Sequence, residues 1–509
     1  MPTTATTSLA TDQPAAVHRL RPGTAALGAA LLGFFVITLD ALVVSVALPS
    51  IRDSLGGGIT GLQWVVDGYT LMFAALLLSA GSLTDRLGAR RTFGTGLALF
   101  AIASAACGLA PNLGVLVIAR LVQGAGAAVI VPSSLALIRE AFPDAGKRAK
   151  AISLWALGGS AGSAAGPVAG GFLSQVEWRL IFFVNLPVGV IALFLLARTK
   201  RSQRQTRAGF DWTGQLSAVV AMGALTFAAI ETGAVGITAP HVLFSYALAV
   251  LAAVVFVVAQ ARGKHPMVPL SLLGSRTMAL AAGIGFALNV GFYGMIFLLS
   301  LYLQQAKGMT ALATGLAFVP MTLLTAFVSP TAAWFAARFG PRMPVIAGQA
   351  AMIVGLVLLA LVPASAPTWL LIVLMVPVGA GGSLAVPALT SLLLDQVPAE
   401  RAGTASGVLN TSRQVGGALA VAVFGALVAD RAQFTEGLHT SLAIAAAVVL
   451  ITTAVSFLLR PLAAQDMANR PSTAVRPPSQ GPGPASPAAG AEPWPRTVRA
   501  RRTRQEEHR

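Results

Sequence analysis

Charged side chains are scarce in this sequence. Asp, Glu, Lys and Arg together make up 10% of its 509 residues, whereas 55% of the residues are hydrophobic. Soluble domains carry about 25% charged residues, and the mean hydropathy here is high, at +0.76. The sequence therefore excludes an ordinary soluble domain and predicts an all-α integral membrane protein that crosses the bilayer many times.

Cysteine and acidic residues are also few. The single cysteine, Cys107, excludes a disulfide framework. With 18 acidic and 35 basic residues the formal net charge is +17, a value that by itself would suggest nucleic-acid binding. The basic residues lie mainly in alternate loops and in one tail, however, and that distribution is typical of membrane topology. We therefore expect no nucleic-acid partner.

Two kinds of chemical motif are missing. The chain has no nucleotide-binding loop of the GxxxxGK[ST] type and no cluster of metal ligands. Its five histidines lie outside the predicted membrane cores, so no histidine relay is expected. These absences predict a protein that is not an enzyme, holds no cofactor or metal, and draws its energy from an ion gradient.

Fourteen apolar runs are long enough to cross a hydrocarbon core of about 30 Å. They lie near residues 25–48, 62–83, 92–110, 112–137, 150–172, 180–198, 213–232, 241–261, 278–304, 311–336, 343–363, 367–393, 403–428 and 438–460. With the N-terminus inside, the inner loops hold 20 basic residues and the outer loops hold 4. Because basic residues favour cytoplasmic loops, both termini are predicted on the cytoplasmic side of the plasma membrane.

Both ends of the chain are polar. Residues 1–24 are predicted to form a cytoplasmic N-terminal tail, since the stretch is too long and too polar for a cleaved signal. Residues 461–509 are rich in Pro, Ala and Arg, which predicts a disordered cytoplasmic tail. Its basic residues favour contact with anionic lipid, and a specific partner is the alternative.

Glycine is concentrated in the segment Trp155–Gly171. Four glycines spaced by four residues lie on one helix face: Gly158, Gly162, Gly166 and Gly170. Gly171 lies beside this face, and Pro167 interrupts it. In a bilayer such a face lets a second helix approach closely, and the proline adds a bend. The pattern fits either a hinge surface about which helices move or a static packing seam.

Four charged residues are candidates for proton coupling: Asp40, Arg120, Asp67 and Glu231. Arg120 lies inside an apolar run, where an unpaired charge costs at least ~2.5 kcal/mol. Asp40 is its best partner, because both residues lie about eight residues, or roughly 12 Å, below the outer ends of their helices. A purely structural ion pair is the alternative. Asp67, about a turn inside span two, and Glu231, at the end of span seven, are the next carboxylates in line.

The loop between spans two and three reads GSLTDRLGARR. Glycines allow a tight turn there, and Asp85 can accept hydrogen bonds from a helix N-terminus or from arginines. We interpret this group as a conformational latch between two helix bundles: Gly81, Asp85, Arg86, Gly88, Arg90 and Arg91. A charged loop set only by topology is the alternative.

Several stretches resemble known sequence motifs. The loop is similar to the G-x-L-x-D-R-x-G-R-R/K motif of the major facilitator superfamily, with Ala89 at a position that is usually basic. LVIARLVQGAGA resembles the fourth-span motif of proton-coupled members, and GSAAGPVAGG resembles the fifth-span motif of exporters. Two further stretches look like the fourteen-span drug:proton antiporter family. They are WRLIFFVNLPVG and LDALVVSVALPSI, the second with Ser45 where asparagine is usual. WVVDGYTL points to its methylenomycin-resistance-type exporters.

This resemblance implies a fold and a division of the chain. The major facilitator fold has two pseudo-symmetric six-helix bundles, and here two inserted helices bring the total to 14 transmembrane helices. The N-terminal bundle is expected at residues 25–198, the linker with the two extra helices at 199–277, and the C-terminal bundle at 278–460.

Two polar groups in the second half are candidates for a substrate cavity. The first follows one face of span nine at steps of three and four residues: Asn289, Tyr293, Phe297, Ser300 and Gln304. A polar and aromatic face within a span meets a cavity or another helix, and ordinary helix packing is the alternative. The second group, in span thirteen, contains Asn410 and Arg413. Arg413 fits an anionic substrate, a gate or a structural pairing equally well.

The leading hypothesis is a monomeric proton-coupled antiporter. It would export amphipathic drug-like or antibiotic compounds by alternating access, with the small molecule, protons and the lipid bilayer as its partners. A transporter of one specific natural product or nutrient is the first alternative, and the fifth-span motif favours export. The second is a non-transporting membrane sensor or scaffold, against which the presence of Asp40, Arg120 and the latch argues.

Overall fold

The described part of the chain is helical. The computed structural model describes residues 22–200, 202, 211–263, 266–397, 401–430 and 433–459, and every regular element within these ranges is a helix. The first group comprises α1 (Pro22–Leu55), α2 (Ile59–Leu87), α3 (Ala89–Gly108), α4 (Leu113–Ala141), α5 (Ala145–Val176), α6 (Leu180–Phe183) and α7 (Asn185–Ala197). Two further helices follow, α8 (Trp212–Val235) and α9 (Pro240–Arg262). The last group comprises α10 (Leu270–Leu273), α11 (Arg276–Gln305), α12 (Ala311–Ala317), α13 (Val319–Phe339), α14 (Met343–Leu361), α15 (Thr368–Asp395), α16 (Ala402–Leu427) and α17 (Phe434–Ser456).

Ten of the described helical segments, with α6 and α7 counted as one, are long and apolar enough to cross a membrane. The four other predicted spans fall on α3, α5, the α12–α13 pair and α16. α5 and α16 are rich in Gly, Ser and Ala, which lowers their hydropathy without shortening the helix. The predicted all-α membrane fold is therefore confirmed, and the helices are consistent with fourteen spans.

Helix ends follow from local polar chemistry. The side chains of Asn112, Asp144, Asp211 and Thr310 each accept a hydrogen bond from the backbone N–H three residues further on. Such caps satisfy donors that the first turn of a helix leaves free. Gly88 joins α2 to α3 at a φ of 86°, a left-handed conformation that glycine adopts without steric cost.

Several helices run beyond the predicted spans. α1 has 34 residues, which corresponds to about 51 Å at 1.5 Å per residue, whereas the apolar core of a bilayer is about 30 Å thick. Hydropathy marks only the part inside that core, so it underestimates helix length at both ends. The predicted tails lie outside the described residues, except that α1 already begins at Pro22.

The helices pack as two halves with a pair beside them. α1 packs on α4, α5 and α7, and α11 packs on α16 and α17. α8 and α9 pack on each other, and α8 also contacts α2 and α16, one helix from each half. The inserted pair therefore bridges the halves on one side. The domain boundaries derived from the sequence stay predictions.

One hydrophobic core joins the two halves where α1 runs into α2. We call this the outer end, following the predicted topology. The core combines Leu48 and Ile51 of α1 with Leu299 of α11. A second core, which includes Phe93 and Phe100, belongs to the first half alone. The halves thus share their apolar packing at the outer end.

Candidate functional site

Asp40 on α1 and Arg120 on α4 form an ion pair inside the first half. Arg120 Nη1 lies 2.5 Å from Asp40 Oδ2, and the side chains of Asp40 and Arg120 are 0% and 1% exposed. Arg120 Nε also donates to the carbonyl oxygen of Val65 at 3.0 Å. The structure therefore brings together the two charges that were paired by depth in the sequence.

Three uncharged side chains surround this ion pair. Gln123 Nε2 donates to Asp40 Oδ1 at 2.9 Å, while Gln123 Oε1 accepts from Arg120 Nη1 at 2.8 Å. Asn185 Nδ2 donates to the same Asp40 oxygen at 2.8 Å. Both amides also donate to Ser104 Oγ, at 3.1 and 3.0 Å. We call Asp40, Arg120, Gln123, Asn185 and Ser104 the Asp40 network.

Gln123, Asn185 and Ser104 are not among the predicted site residues. Gln123 has a sequence signal, because a residue three positions after Arg120 shares its helix face. Asn185 has a weaker one, since an amide within an apolar span needs a polar partner. Ser104 has none, because a serine hydroxyl can bond to its own helix; here it donates to the carbonyl oxygen of Phe182 at 2.9 Å.

Aromatic rings cover the guanidinium group of Arg120. Its Cζ lies 4.3 Å from the centroid of the Tyr69 ring and 5.9 Å from that of Phe182. The ring faces attract the cation and exclude water. Low-dielectric surroundings of this kind make it costly to leave either charge of the ion pair alone.

Asp67 has a different environment. Its side chain is 0% exposed, and neither carboxylate oxygen has a hydrogen-bond partner among the described residues. It lies one turn after Gln63, whose Nε2 donates to the carbonyl oxygen of Ala422 at 2.6 Å. This face of α2 packs on α16. Asp67 is thus buried at a contact between the halves, where an ionised carboxylate without a partner would be costly.

Glu231 lies apart from the other two carboxylates, near the outer end of α8. Its Oε2 is 3.8 Å from Nε2 of His241, at the start of α9. The two side chains are 21% and 52% exposed, so solvent weakens their interaction. The pair joins the two inserted helices to each other.

The four-glycine face of α5 packs on α1, within the same half. A Cβ atom at any of the four positions would collide with α1: Gly158 with Leu31, Gly162 with Phe35 and Thr38, Gly166 with Leu39 and Leu42, and Gly170 with Val43. The absence of side chains therefore lets the two helix backbones approach closely, as in other small-residue interfaces.

Two neighbouring residues of α5 contact the other half instead. A Cβ atom at Gly171 would meet the backbone of Ala311 and Leu312 on α12. A Cβ atom at Gly315 would meet the carbonyl oxygen of Pro167. The contact of α5 with α12 therefore involves Pro167 and Gly171, and α5 also packs on α13. The hinge role of the predicted group stays a prediction.

Among the predicted latch residues, the side chains of Arg90 and Asp85 face other helices of the first half. Arg90 Nε and Nη2 donate to the carbonyl oxygens of Leu196 and Ala197, at the end of α7, at 3.2 and 3.0 Å. Asp85 lies within electrostatic reach of Arg139, near the end of α4. The remaining members are the Gly88 turn, the half-buried Gly81 and Arg86, and the exposed Arg91. Their latch role between the bundles stays a prediction.

The predicted cavity residues on α11 separate into two groups. Gln304 Nε2 donates to the carbonyl oxygen of Val46 at 2.9 Å, and Ser300 Oγ donates to that of Ser45 at 2.6 Å. Phe297 is 1% exposed and belongs to the core at the outer end. This group ties α11 to α1 in the present arrangement of the halves.

The second group on α11 lies deeper and faces α16. Arg413 Nε donates to Asn289 Oδ1 at 3.4 Å, and Arg413 Nη1 donates to Asn410 Oδ1 at 3.1 Å. Tyr293 and Arg413 are partly exposed, whereas Asn289 is buried. We call Asn289, Tyr293, Asn410 and Arg413 the Arg413 cluster. Its role in a substrate cavity stays a prediction.

Comparison with known proteins gives a consistent family match. A family model described as Major Facilitator Superfamily matches residues 30–421 and 282–499. The chain is 40% identical over 400 residues to the multidrug resistance protein Stp of Mycobacterium tuberculosis, covering 78% of this chain and 74% of that protein. It is 34% identical over 466 residues to a methylenomycin A resistance protein of Streptomyces coelicolor, covering 90% and 95% of the two chains.

A solved structure supports the same fold. The crystal structure of a D-xylose-proton symporter superposes with a TM-score of 0.63 at 15% identity, covering 87% of this chain and 98% of that chain. Identity this low is evidence for the arrangement of the helices and not for a shared substrate.

Proposed function

Because the chain belongs to the major facilitator superfamily, we propose that it is a proton-coupled antiporter that exports amphipathic drug-like or antibiotic compounds by alternating access. Relatives named as resistance proteins support export of such compounds. The observation that carries the proposal is the Asp40 network, in which a buried carboxylate accepts from Arg120, Gln123 and Asn185. The energy source is the proton gradient, with no cofactor and no enzymatic step.

Protonation of Asp40 changes several helix contacts together. The carboxylate on α1 accepts hydrogen bonds from α4 and α7, and Ser104 of α3 joins the same network. A proton on Asp40 removes the negative charge that Arg120 faces and adds a donor where only acceptors stood. The ion pair weakens, and so do the hydrogen bonds that the amides of Gln123 and Asn185 donate to the carboxyl group, because they lose their charge assistance. One proton can in this way bias the packing of four helices.

The outer end is closed, which supports an inward-facing conformation of the transporter. α1 and α11 are joined there by Ser300 and Gln304, and α2 and α16 by Gln63. Because α1 carries Asp40 and also contacts α11, a change in the Asp40 network can reach this closure through a single helix. Substrate would then be taken up from the cytoplasm and released after the outer end opens.

The setting follows from the same proposal. The proposed transporter is a monomer in the plasma membrane. Its proposed orientation, with both termini cytoplasmic, agrees with the 20-to-4 distribution of basic residues. A transporter of one natural product remains the alternative substrate range, since one relative is named for a single antibiotic, methylenomycin A.

Transport by the purified full-length chain in proteoliposomes tests the proposal. An imposed pH gradient is expected to drive uptake of several compounds from a panel of structurally unrelated antibiotics and dyes, and a protonophore is expected to abolish it. Proton movement is followed with a trapped pH dye. Transport of one compound only would support the natural-product alternative. Binding without transport under any gradient would support a sensor and contradict the proposal.

A further inference from the structure

Arg413 is a charge inside the membrane that has no countercharge beside it in the described part of the chain. It is 11 residues from the start of α16 and 14 from its end, which places it near mid-membrane. Among the described residues its hydrogen bonds go to the amide oxygens of Asn289 and Asn410, and no carboxylate lies within 4.0 Å. An intramembrane cation without a partner is costly, and such residues usually mark a functional site.

Some N–H donors of Arg413 and Asn289 have no acceptor among the described residues. Arginine has five N–H donors, and two nitrogens of Arg413 have acceptors here. Asn289 Oδ1 is occupied by Arg413, while Asn289 Nδ2 is buried and has no partner among the described residues. The guanidinium group and a neighbouring amide thus both present free donors, so the missing partner is an acceptor.

We propose that the Arg413 cluster binds the carboxylate, or an equivalent oxyanion, of an amphipathic organic acid, with Arg413 and Asn289 as the donors. The inference rests on the proposed transport function and names its substrate class. Arginine binds a carboxylate through two parallel hydrogen bonds, and such charge-assisted bonds are about twice as strong as neutral ones. The partly exposed ring of Tyr293, which lies against Gly417, provides an apolar surface for the rest of the ligand.

The surrounding charges favour an anion over a cation. Asp40, in the other half, is already paired with Arg120. Asp67 lies on the face of α2 that contacts α16 through Thr411, and Arg413 follows Thr411 by two residues. Two residues correspond to about 200° around a helix, so Arg413 faces away from α2 and towards α11. Gly285 of α11 leaves the space that the Arg413 stem occupies.

A set of three probes with one scaffold tests the substrate class. 1-Pyrenebutyric acid, its methyl ester and 4-(1-pyrenyl)butylamine share an aromatic body but carry an anionic, a neutral and a cationic head. Binding to the full-length protein in detergent is followed by pyrene fluorescence anisotropy. We expect the acid to bind at least tenfold more tightly than the ester, and the amine to bind most weakly. Equal affinities for acid and ester, or no binding of the acid, would overturn the proposal.

Variants locate the preference at the cluster. Arg413→Gln is expected to weaken acid binding at least tenfold and to change ester binding less than twofold, with Arg413→Lys intermediate. Asn289→Leu removes the second donor, together with the oxygen that accepts from Arg413, and is expected to reduce the same selectivity. Arg276→Gln, at the start of α11, is the matched control and should behave like the unaltered protein. An equal loss for all three probes in Arg413→Gln would indicate a structural role and contradict the proposal.

Transport separates this proposal from the general function. If the ester and the amine are pumped by a pH gradient but the acid is not, export stands and the anion site is wrong. If the acid binds selectively but none of the probes is pumped, the site stands and the exporter function fails. If the acid is pumped, each cycle should move one more charge than the ester cycle. An imposed potassium diffusion potential should then accelerate acid export more than ester export.

Discussion

Asp40 accepts hydrogen bonds from three side chains, so its protonation state is the residue-scale variable on which coupling depends. Asp40→Asn keeps the size of the side chain and removes its ability to take up a proton. We expect pH-driven efflux to fall at least tenfold while substrate affinity stays within about twofold. Efflux from proteoliposomes and equilibrium binding in detergent measure the two quantities. Undiminished pumping with continued proton movement would move the coupling site to Asp67, and then to Glu231.

Arg120 offers a second residue-scale prediction. Arg120→Ala leaves Asp40 buried without its ion-pair partner, and breaking a buried pair costs about 3–5 kcal/mol. The thermal unfolding temperature, followed by tryptophan fluorescence, should therefore fall markedly. Arg120→Lys should be partly tolerated, because it keeps a positive charge beside Asp40. The tolerance should be incomplete, because a single ammonium group cannot serve Asp40, Gln123 and Val65 with the geometry of a guanidinium.

The exposed ion pair of Arg179 and Glu177 provides the control for that measurement. Arg179 Nη1 lies 3.2 Å from Glu177 Oε1, and the side chains of Arg179 and Glu177 are 31% and 48% exposed. Exposed pairs contribute about 0–1 kcal/mol, so Glu177→Ala, which keeps Arg179 over the Trp178 ring, should change the unfolding temperature little. A similar decrease for Glu177→Ala and Arg120→Ala would contradict the argument from burial.

The sequence was sufficient to pair Asp40 with Arg120 but not to complete their surroundings. Equal depth in two apolar helices is a one-dimensional property, and a buried charge requires a partner. The contribution of Asn185 and Ser104 depends on how α3 and α7 rotate and pack against α1, which no spacing within a single helix contains. The same limit applies to Asp67, whose depth is readable in the sequence while its contact with α16 is not.

At the scale of elements, α5 presents two neighbouring surfaces with different partners. The four-residue glycine spacing predicts a face for close packing, yet it does not identify the helix that packs there. The structure assigns α1 to the glycine face and α12 to Pro167 and Gly171. A side chain added within one half should affect folding, whereas a side chain added at a contact between the halves should affect transport.

Leucine substitutions on α5 should therefore separate folding from transport. Gly162→Leu drives a side chain into the backbone of α1, and such overpacking typically costs about 1–3 kcal/mol. We expect a lower unfolding temperature together with lost transport. Gly171→Leu should leave the first half folded but prevent α5 and α12 from closing, so transport is lost at a nearly unchanged unfolding temperature.

A glycine in open surroundings is the control for these two variants. A Cβ atom at Gly283 of α11 would meet nothing within 4 Å, so Gly283→Leu should affect neither property. Normal transport by both Gly162→Leu and Gly171→Leu would show that α5 is not a surface on which the mechanism depends. Equal destabilisation by the two would show that the contact with α12 belongs to the static fold.

At the scale of the whole molecule, the outer end is held by side chains that bond to backbone carbonyls across the halves. Gln63 donates to Val421 and Ala422 of α16, and Gln304 donates to Val46 of α1. The carbonyls of Val46, Val421 and Ala422 lie within helices that also supply them with backbone donors, so the bonds from Gln63 and Gln304 can break without leaving these acceptors unpaired. Such contacts suit an end of the molecule that opens and closes during each cycle.

Removing both amides should shift the protein towards an outward-open state. If the amide of each glutamine contributes about 1 kcal/mol, Gln63→Ala with Gln304→Ala removes about 2 kcal/mol and should raise the open population roughly 30-fold. A cysteine at Ser45, buried at 4% exposure in the closed arrangement, reports opening in a Cys107→Ala background. Its reaction with a membrane-impermeant maleimide added from outside should accelerate about 30-fold, in proportion to the open population. Gln349→Ala removes hydrogen bonds to Thr452 and Ser456 within the second half, and it should leave the labelling rate unchanged. An unchanged rate in the double variant, or an equal increase in the control, would mean that these amides do not hold the outer end closed.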